Sequence, residues 1–499
     1  MAMADQKKRL ISKGRYVDGV KCEKLLWYKM NDKSVFPETD AATQLLFDQG
    51  HEVGALAKKL YKDAVEIDWD RDADKVTEKS AEALKTGKTL FEAGFASDGT
   101  YSIADVLDPV KGKKGTYDLT EVKMGTSVKD HYYDDVSFQK YNYEKFGIKI
   151  RNCYLKHVDK TYVYKGGEID PKKFFLPDID INEEVKSRLP EVKKNVKKFH
   201  DIIAKKTPPA VKLNLNCEGE HECELLDLCM KGVPKGSVLT LHGMKRDRKF
   251  NYFYEQGKKL ILDLPKYELN EKHGIMYEAL RTNKEQADKE GIKAFLGGLE
   301  YPIYYLDFET MMNIAVPKFK GTRPYQQIPF QFSLHIQENM GGPAAHHMYL
   351  AEGKEDPRPE FIAKLDELLG KKGTILTYNE RFEKGIIEEL AEAYPKFEAR
   401  AKGLLSRIKD LLVPFRGFLY YHPGQEGSAS IKAVYPAMIG KSYEGLEISE
   451  GGAAGAEFIK AMFGGAGEKE KERVRKALIE YCTQDTMAMV EILEKLRNI

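Results

Sequence analysis

The chain has 499 residues, of which 42% are hydrophobic and 32% are charged, with 80 Lys and Arg against 78 Asp and Glu. A domain takes roughly 100 to 200 residues, so this length predicts two to four domains and excludes a single small module. The composition is not typical of a disordered chain or of an integral membrane protein. The formal net charge of +2 gives no global reason to bind nucleic acid, so local patches would have to hold an anionic partner.

The N-terminal stretch MAMADQKKRL lacks the apolar segment of a secretory signal, and no run of about 18 apolar residues occurs in the sequence. We therefore expect a cytoplasmic protein without a membrane partner. Six cysteines in a long intracellular chain are not typical of a disulfide framework. Their spacing is instead informative about metal or cluster ligation.

Three segments differ in their residue patterns. Residues 10–232 contain alternating apolar residues interrupted by turn signals, whereas residues 233–298 contain many Lys and Glu but few long apolar runs. The run YPIYYLDFET opens residues 299–499, in which strand-like and helix-like patterns alternate. We expect an α/β protein with two principal domains and a mainly helical connector over residues 233–298. The glycine-biased stretch 451–467 predicts a surface loop.

The segment SIADVLDPVKGKKGTYDLTEVKMGT predicts two strands, 103–107 and 117–123, joined as a hairpin by a Lys-Gly turn. Side chains alternate along a strand, so Glu121 and Lys123 share a face on which Asp105 of the neighbouring strand can meet them. Paired carboxylates can hold a divalent metal, and an ammonium group can stabilise charge that develops on a phosphate. The alternative is a surface hairpin with alternating charges.

Two further motifs accompany this hairpin. FDQGHEVGALAKKLY carries His51 before it, and SFQKYNY after it carries Gln139 and Tyr143, which share a helix face. Taken alone, His51 is more often a packed helix histidine, and a pair such as Gln139 and Tyr143 is more often a plain amphipathic face. Glu92 in LFEAGF is a further candidate acid.

Together, these motifs resemble the RecB-like branch of the PD-(D/E)XK nucleases, which includes the iron-sulfur exonucleases of CRISPR adaptation. The resemblance covers residues 10–232 and implies a restriction-endonuclease-like fold that hydrolyses phosphodiester bonds with Mg²⁺ or Mn²⁺. It implies Asp105 and Glu121 as metal ligands. The full set of catalytic residues that it implies is His51, Asp105, Glu121, Lys123, Gln139 and Tyr143.

Four cysteines follow an order of one and then three. Cys22 lies far upstream, whereas Cys217, Cys223 and Cys229 lie in NCEGEHECELLDLC with five residues between successive cysteines. Zinc sites usually pair ligands across two to four residues, so this spacing weighs against an ordinary zinc ribbon without excluding it. Thiolates are suitable ligands for either zinc or an iron-sulfur cluster. Unrelated buried cysteines are the remaining alternative.

The same order occurs in the RecB-like and AddB-like nucleases, where one cysteine before the catalytic core and three after it bind a 4Fe-4S cluster. The resemblance therefore implies such a cluster, with zinc as the alternative, although the C-x2-C-x5-C triplet of these nucleases is not reproduced here. His221, between two of the cysteines, is a further possible ligand. Cys153 and Cys482 have no such neighbours in the sequence and are predicted to be small core residues.

A second group of acids lies in the C-terminal segment. Asp307 and Glu309 are two residues apart in an apolar strand, so both project to one face beside the core. Unpaired buried carboxylates are costly unless cations compensate them, and divalent metals would do so. Glu383 lies one turn into a helix after the strand of ILTYNERFEKGIIEEL. Tyr481 and Asp485 are i and i+4 neighbours on an amphipathic helix.

These motifs resemble the DEDD exonucleases of the ribonuclease H-like superfamily over residues 299–499. The resemblance implies that Asp307, Glu309 and Asp485 bind metal and that the Tyr481 hydroxyl orients the attacking water. Glu383 stands where the family has aspartate. GSASIKAVYP resembles the region before the final motif and implies that Lys432 meets phosphate. The alternative is an inactive ribonuclease H-like domain that keeps only part of its site.

The whole chain resembles a bacterial family that joins a RecB/AddB-like iron-sulfur nuclease domain to a DEDD-type exonuclease domain. FDQGHEVGALA, LTEVKMGT, YYLDFET and YCTQDTMAMV carry this resemblance. It implies a metal-dependent nuclease with two sites, acting on nucleic acid, with DNA the expected substrate, in repair, processing or defence. The alternatives are a non-catalytic nucleic-acid-binding or scaffold protein, or a chain in which only one domain is catalytic.

Overall fold

The structure, a computed structural model, describes residues 9–217, 222–312 and 314–499. It is a mixed α/β protein with several sheets, which confirms the α/β class predicted from the sequence. Two compact units are present: the first covers Met1–Thr39, Leu46–Cys229 and Ile314–Tyr325, and the second covers Asp40–Leu45, Met230–Asn313 and Gln326–Ile499. The bounds 10–232, 233–298 and 299–499 remain a prediction. In the described part of the chain, no helix combines the length and apolar character of a membrane span.

The elements up to residue 230 are helices and the strands of one sheet. The strands are β1 (Ile11–Ser12), β2 (Val65–Glu66), β3 (Leu90–Ser97), β4 (Thr100–Pro109), β5 (Thr116–Lys123), β6 (Lys149–His157) and β7 (Ile179–Asp180). The helices are α1 (Lys13–Lys21), α2 (Glu23–Asn31), α3 (Ala41–Lys58), α4 (Ala73–Leu84), α5 (Asp130–Phe146), α6 (Pro171–Phe174), α7 (Asn182–Ile203) and α8 (Leu226–Met230).

The elements after residue 230 begin with short helices and continue with a second sheet. The strands are β8 (Gln286–Ala287), β9 (Ile303–Met311), β10 (Ile328–Gln337), β11 (Ala344–Leu350), β12 (Thr374–Thr377), β13 (Ile408–Asp410) and β14 (Tyr420–Tyr421). The helices are α9 (Arg246–Phe250), α10 (Glu271–Thr282), α11 (Lys289–Gly297), α12 (Arg358–Leu368), α13 (Arg381–Ala393), α14 (Glu398–Leu405), α15 (Val413–Arg416), α16 (Ile431–Ile439), α17 (Gly451–Phe463) and α18 (Glu468–Arg497).

Tighter and wider helical turns connect these elements. The 3₁₀ turns are Lys33–Val35, Leu215–Cys217, Val238–Thr240, Ile261–Asp263, Lys266–Glu268, Pro395–Phe397 and Pro423–Gln425, and a π-helical turn covers Asn251–Glu255.

The sheet of the first unit has the strand order β2-β3-β4-β5-β6-β7, and β1 pairs in parallel with β4. Strands β4 and β5 form the predicted antiparallel hairpin, with Val106 opposite Thr120, so that prediction is confirmed. Helix α5 packs against this sheet and against α1 and α7. A Cβ atom at Gly19 would lie 2.6 Å from the Phe199 ring, so the glycine permits the close approach of α1 to α7. This packing holds the start of α1 near β5.

The main sheet of the second unit has the order β11-β10-β9-β12-β13. The central strand β9, which the sequence predicts from YPIYYLDFET, is antiparallel to β10 and parallel to β12. Strands β12 and β13 are parallel, and β10 and β11 are antiparallel. Helices α17 and α18 both pack on β9. A smaller sheet pairs β14 with β8.

The prediction of a surface loop at residues 451–467 is wrong for Gly451–Phe463, because these residues form helix α17. Ala454, Ala456 and Phe458 of this helix are buried. A Cβ atom at Gly455 would lie 2.6 Å from the carbonyl oxygen of Thr310 on β9. Gly455 therefore allows α17 to contact β9 closely, since any larger residue would prevent so close an approach.

Candidate functional sites

Glu121 on β5 lies at the centre of a polar cluster in the first unit. Lys13 Nζ and Lys123 Nζ each lie 2.7 Å from Glu121 Oε1, and Gln139 Nε2 donates to Oε2 at 2.7 Å. The glutamate is 2% exposed. Both of its oxygens are therefore engaged by side chains from three separate elements, namely α1, β5 and α5. We call Lys13, Asp105, Glu121, Lys123, Asp135 and Gln139 the first cluster.

Asp105 enters this cluster from β4. Its Oδ2 accepts a hydrogen bond from the backbone N–H of Val122 at 2.7 Å, which fixes the carboxylate against β5. Burial and the negative charge of Glu121 raise the pKa of Asp105 to about 7. The two lysines oppose this shift without cancelling it. A further cation beside Asp105 would therefore stabilise its charged form.

Asp135 completes the first cluster from α5. Lys123 Nζ lies 2.5 Å from Asp135 Oδ2, and Gln139 Nε2 donates to Oδ1 at 3.1 Å. Burial alone would raise the pKa of Asp135, but Lys123 and Lys13 outweigh it and hold the pKa well below its usual range. Asp135 is thus a structural anion that positions Lys123. Sequence reasoning missed it, although it precedes Gln139 by four residues on the same helix face.

Other residues that the sequence singled out lie apart from these contacts. His51 on α3 is exposed, and it makes no hydrogen bond or ion pair with any residue that the structure describes. Glu92 pairs with Lys58 at 2.9 Å. The fully buried Tyr143 donates its hydroxyl hydrogen bond to the carbonyl oxygen of Ala93 at 2.6 Å. Tyr143 therefore ties α5 to β3, whereas Gln139 alone of the Q-x-x-x-Y pair reaches the carboxylates.

The four-cysteine group, Cys22, Cys217, Cys223 and Cys229, gathers near the start of α2. The N–H of Cys223 donates to the carbonyl of Cys217 at 2.8 Å. Burial raises the pKa of the Cys223 thiol, and the nearby sulfurs of Cys22 and Cys217 add to the shift. Cys229 Sγ lies 3.5 Å from Nζ of Lys24. Lys24 follows Cys22 by two residues, so this contact brings Cys229 to the part of the chain that contains Cys22. His221 lies outside the described residues.

The second unit contains a cluster of buried acids on β9 and its flanking helices. Ligand atoms of Asp307, Glu309 and Cys482 all lie within 4.8 Å of one another. Within the described ranges this is the one group of three Asp, Glu, His or Cys residues that meets that distance, so neither the first cluster nor the four cysteines meets it. The Cys482 sulfur is 3.6 Å from Asp307 Oδ2. Cys482 is a buried residue as predicted, but it borders this site.

Asp485 reaches the same site from α18. The Tyr443 hydroxyl donates to Asp485 Oδ1 at 2.6 Å, and the rings of Tyr443 and Tyr481 are 6.4 Å apart. Burial raises the pKa of Asp485, while the hydrogen bond from Tyr443 opposes the shift. The negative charge of Asp485 in turn raises the pKa of Asp307, second to burial. Tyr443 was missed by sequence reasoning because it lies on the connection after α16, with no motif around it.

Glu383 approaches from α13, one turn after the junction residue Asn379. Asn379 has a left-handed φ of 81°, and its N–H donates to Asp410 Oδ1 at 2.8 Å, which fixes the turn into the helix. Glu383 is 1% exposed, and its Oε2 has no hydrogen-bond partner among the described residues. Burial and the charge of Asp307 raise its pKa well above the usual value.

Lys432 on α16 supplies positive charge to these acids. Its charge lowers the pKa values of Asp307, Glu309 and Asp485, although burial still raises all three. Its Nζ lies 5.5 Å from the centre of the Tyr481 ring. We call Asp307, Glu309, Glu383, Lys432, Tyr443, Tyr481, Cys482 and Asp485 the second cluster.

Gly451 at the start of α17 borders the second cluster. A Cβ atom there would lie 3.4 Å from Glu309 Oε2 and 3.9 Å from the Tyr481 hydroxyl. The absent side chain leaves space beside the carboxylates. The glycine-biased composition that predicted a loop was therefore a signal of close approach to the site.

Residues 304–430 match the model of a protein family described as "Domain of unknown function (DUF2779)". This is less than half of the chain. The matched range includes Asp307, Glu309 and Glu383 of the second cluster and ends before Lys432. A comparison with curated proteins finds no match.

Proposed function

We propose that this chain is a metal-dependent nuclease that hydrolyses phosphodiester bonds. The observation that carries the proposal is the second cluster, in which four carboxylates from β9, α13 and α18 share one buried site. Clustered carboxylates repel one another and pay a desolvation cost, so the arrangement is stable in its charged form only with added cations. Lys432 supplies one positive charge, which leaves the site strongly anionic.

The donor set of the second cluster fits a divalent cation. Asp307, Glu309 and Asp485 offer hard carboxylate oxygens, as Mg²⁺ and Mn²⁺ prefer. The buried Glu383 Oε2, which has no partner in the described part of the chain, is a further ligand atom for the cation. Glu383 thus offers a carboxylate oxygen at the position where the DEDD exonucleases have aspartate. Such a cation, when bound, acts as a Lewis acid on the phosphoryl group and lowers the pKa of the attacking water.

Two side chains of the chain itself complete this site. Burial, with the charges of Asp485 and Glu309, raises the pKa of Tyr481 far above its usual value, so the hydroxyl stays protonated. The hydroxyl is hydrogen-bonded to Asp485 in this structure, and in the proposed mechanism it donates instead to the attacking water when substrate is bound. The Lys432 ammonium group, close to the same ring, can bind a phosphate oxygen of the substrate. The strand order with β9 at its centre supports a ribonuclease H-like domain in the second unit.

The first cluster supports a second nuclease site of the RecB-like type. Asp105 and Glu121 would hold the cation, and Lys123 would stabilise charge that develops on the phosphate. The buried Gln139 Oε1 has no hydrogen-bond partner among the described residues, which leaves it available to accept from a bound water. DNA is the proposed substrate for both sites.

The four-cysteine group would hold a 4Fe-4S cluster, with zinc as the alternative. Cys217 Sγ already accepts a hydrogen bond from the N–H of Asn214 at 3.4 Å. Backbone N–H groups that donate to sulfur are a usual means of tuning thiolate-bound clusters.

A chain with only one catalytic unit is the second candidate. It is favoured by the contacts of Glu121, whose two oxygens already accept from Lys13, Lys123 and Gln139. A cation at the first cluster has to share or displace these donors, whereas Glu383 Oε2 in the second cluster accepts no hydrogen bond from any residue that the structure describes. In this case the first unit guides the strand and the second unit cleaves it.

Separate variants of the two units test these proposals. Asp105→Ala and Asp307→Ala should each remove one Mg²⁺- or Mn²⁺-dependent activity, measured as time courses on end-labelled single and double strands after anaerobic purification. Removal of a metal ligand should lower the rate by at least about a hundredfold, because it disturbs the position of the reacting groups. Cleavage lost only in Asp307→Ala indicates one catalytic unit. Cleavage that survives in a variant that carries both substitutions would contradict both assignments.

A further inference from the structure

Cys482 is the one member of the second cluster whose side chain carries a soft donor atom. It is fully buried, and it follows Tyr481 on α18. Its sulfur lies 3.6 Å from Asp307 Oδ2 and within 4.8 Å of the ligand atom of Glu309. A buried thiol that faces two carboxylates is a different donor set from a cluster of acids alone.

We propose that Cys482 is a metal ligand that makes the second cluster prefer zinc or another soft or borderline divalent ion over Mg²⁺ and Mn²⁺. The inference shares the metal centre of the proposed function but does not depend on nuclease activity. Thiolate sulfur favours zinc, whereas carboxylate oxygen favours the hard cations.

The distances fit a zinc ion. With Zn–S of about 2.3 Å and Zn–O of about 2.0 to 2.2 Å, tetrahedral geometry places sulfur and oxygen roughly 3.5 to 3.7 Å apart. The observed separation of 3.6 Å falls in that interval. Glu309 supplies a second oxygen within reach, and Glu383 Oε2, which has no hydrogen-bond partner within the described ranges, offers another.

Binding follows a balanced exchange. The Cys482 thiol gives up its proton to solvent as the Zn–S bond forms, and Asp307 and Glu309 bind as carboxylates. Zinc held in this way occupies oxygens that Mg²⁺ or Mn²⁺ would use, so it should inhibit any activity that those ions support. The same sulfur-to-oxygen distance also suits a thiol that only donates a hydrogen bond to Asp307. Measuring metal selectivity distinguishes a metal ligand from such a hydrogen-bond donor.

The test uses the full-length protein with Cys482→Ser and Cys482→Ala. Cys153→Ser is the matched control, since Cys153 is also fully buried but lies in the apolar core of the first unit. Calorimetric titration with Zn²⁺ and with Mn²⁺ gives the preference for zinc. Titration with Cd²⁺ reports thiolate ligation through its ultraviolet charge-transfer absorbance. Retained Mn²⁺ binding in Cys482→Ser shows that the site is folded.

We expect Cys482→Ser to lower the preference for Zn²⁺ over Mn²⁺ by at least about tenfold, as expected when a ligand is lost. The Cd²⁺ absorbance should fall in both Cys482 variants and remain unchanged in Cys153→Ser, in which the four-cysteine group is also intact. Equal absorbance and equal metal preference in all variants would overturn the proposal. Absence of cleavage by any of these proteins counts against the proposed function only, because the titrations do not use activity.

Discussion

Lys13 and Lys123 share one oxygen of Glu121, and this arrangement sets the charge of the first cluster. Three carboxylates face two ammonium groups there, so the cluster carries one net negative charge when all are ionised. Burial lowers the pKa of Lys13, but Asp135 and Glu121 outweigh it and raise the pKa well above its usual value. Lys13 is therefore a permanent cation, and it competes with any divalent ion for Glu121.

Replacing Lys13 with methionine should strengthen metal binding at the first cluster. The variant keeps an unbranched side chain of similar length but removes its charge, so Mn²⁺ meets one neighbouring cation, Lys123, where the parent has two. We expect the affinity to rise by about tenfold or more, since a unit charge several ångströms away contributes on the order of 1 kcal/mol or more in a partly buried site. The measurement is calorimetric titration in an Asp307→Ala background, with Lys13→Arg expected to behave as the parent.

Lys33→Met is the control for this prediction. Lys33 is exposed in the first unit, and it has no ion pair to any residue that the structure describes. Its replacement changes the net charge equally but should leave the Mn²⁺ affinity unchanged. An equal effect of both methionine variants would mean that Lys13 acts through overall charge and does not compete for Glu121.

The two clusters differ in how far their residues could be predicted from the sequence. Asp307 with Glu309, and Glu121 with Lys123, follow from the two-residue period of a strand, which is a local rule. Lys13 meets Glu121 across 108 positions of sequence, so no local pattern indicates the contact. Cys482 lay beside a recognised motif, but its neighbour Asp307 is 175 positions away. The residues missed are those whose partners are set by tertiary packing alone.

At the scale of elements, α17 shows where composition misled the prediction. Glycine disfavours a helix, but alanine favours one, and tertiary packing decides the outcome here. The strands β4, β5 and β9 were predictable because alternation and apolar runs are strong signals. The pairing of β1 with β4 and the order of the second sheet were not, since register between distant strands leaves no local trace.

Two glycines of α17 should respond oppositely to alanine. At Gly455 the new methyl group would meet the Thr310 carbonyl oxygen at 2.6 Å, so α17 must move away from β9. Overpacking of this kind costs about 1 to 3 kcal/mol. At Gly452 a Cβ atom meets no described atom within 4 Å, so alanine should stabilise the helix by roughly 0.5 to 1 kcal/mol. Urea unfolding followed by circular dichroism measures both.

The outcome at Gly455 bears on the second cluster as well. Gly451, one turn earlier, lies beside Glu309 and Tyr481, so a shift of α17 should also weaken Mn²⁺ binding. Gly452→Ala should leave metal affinity unchanged. Destabilisation by both variants, or by neither, would contradict the assignment of Gly455 as the contact residue.

At the scale of the whole molecule, each unit carries its own candidate site. The first cluster and the four cysteines belong to the first unit, and the second cluster belongs to the second. The four-cysteine group joins residues near the start of that unit to residues after α7, so a bound cluster would close a long stretch of chain. Closing a long loop restricts the unfolded chain, and binding energy at such a site is folding energy. The cluster should therefore stabilise the first unit.

Cys22→Ala tests this role together with the identity of the bound group. A 4Fe-4S cluster predicts about four irons per chain and a brown colour in the anaerobically purified parent, both lost in the variant. Cys153→Ala should keep them, because Cys153 lies among apolar core residues. Cleavage that depends on Asp105 should fall with the cluster, whereas Mn²⁺ binding and trimming that depend on Asp307 should persist, since those residues belong to the other unit. If Cys22→Ala retains its iron, Cys22 is not a ligand of the cluster. If the parent protein is colourless and binds one zinc per chain, the bound group is zinc and not an iron-sulfur cluster.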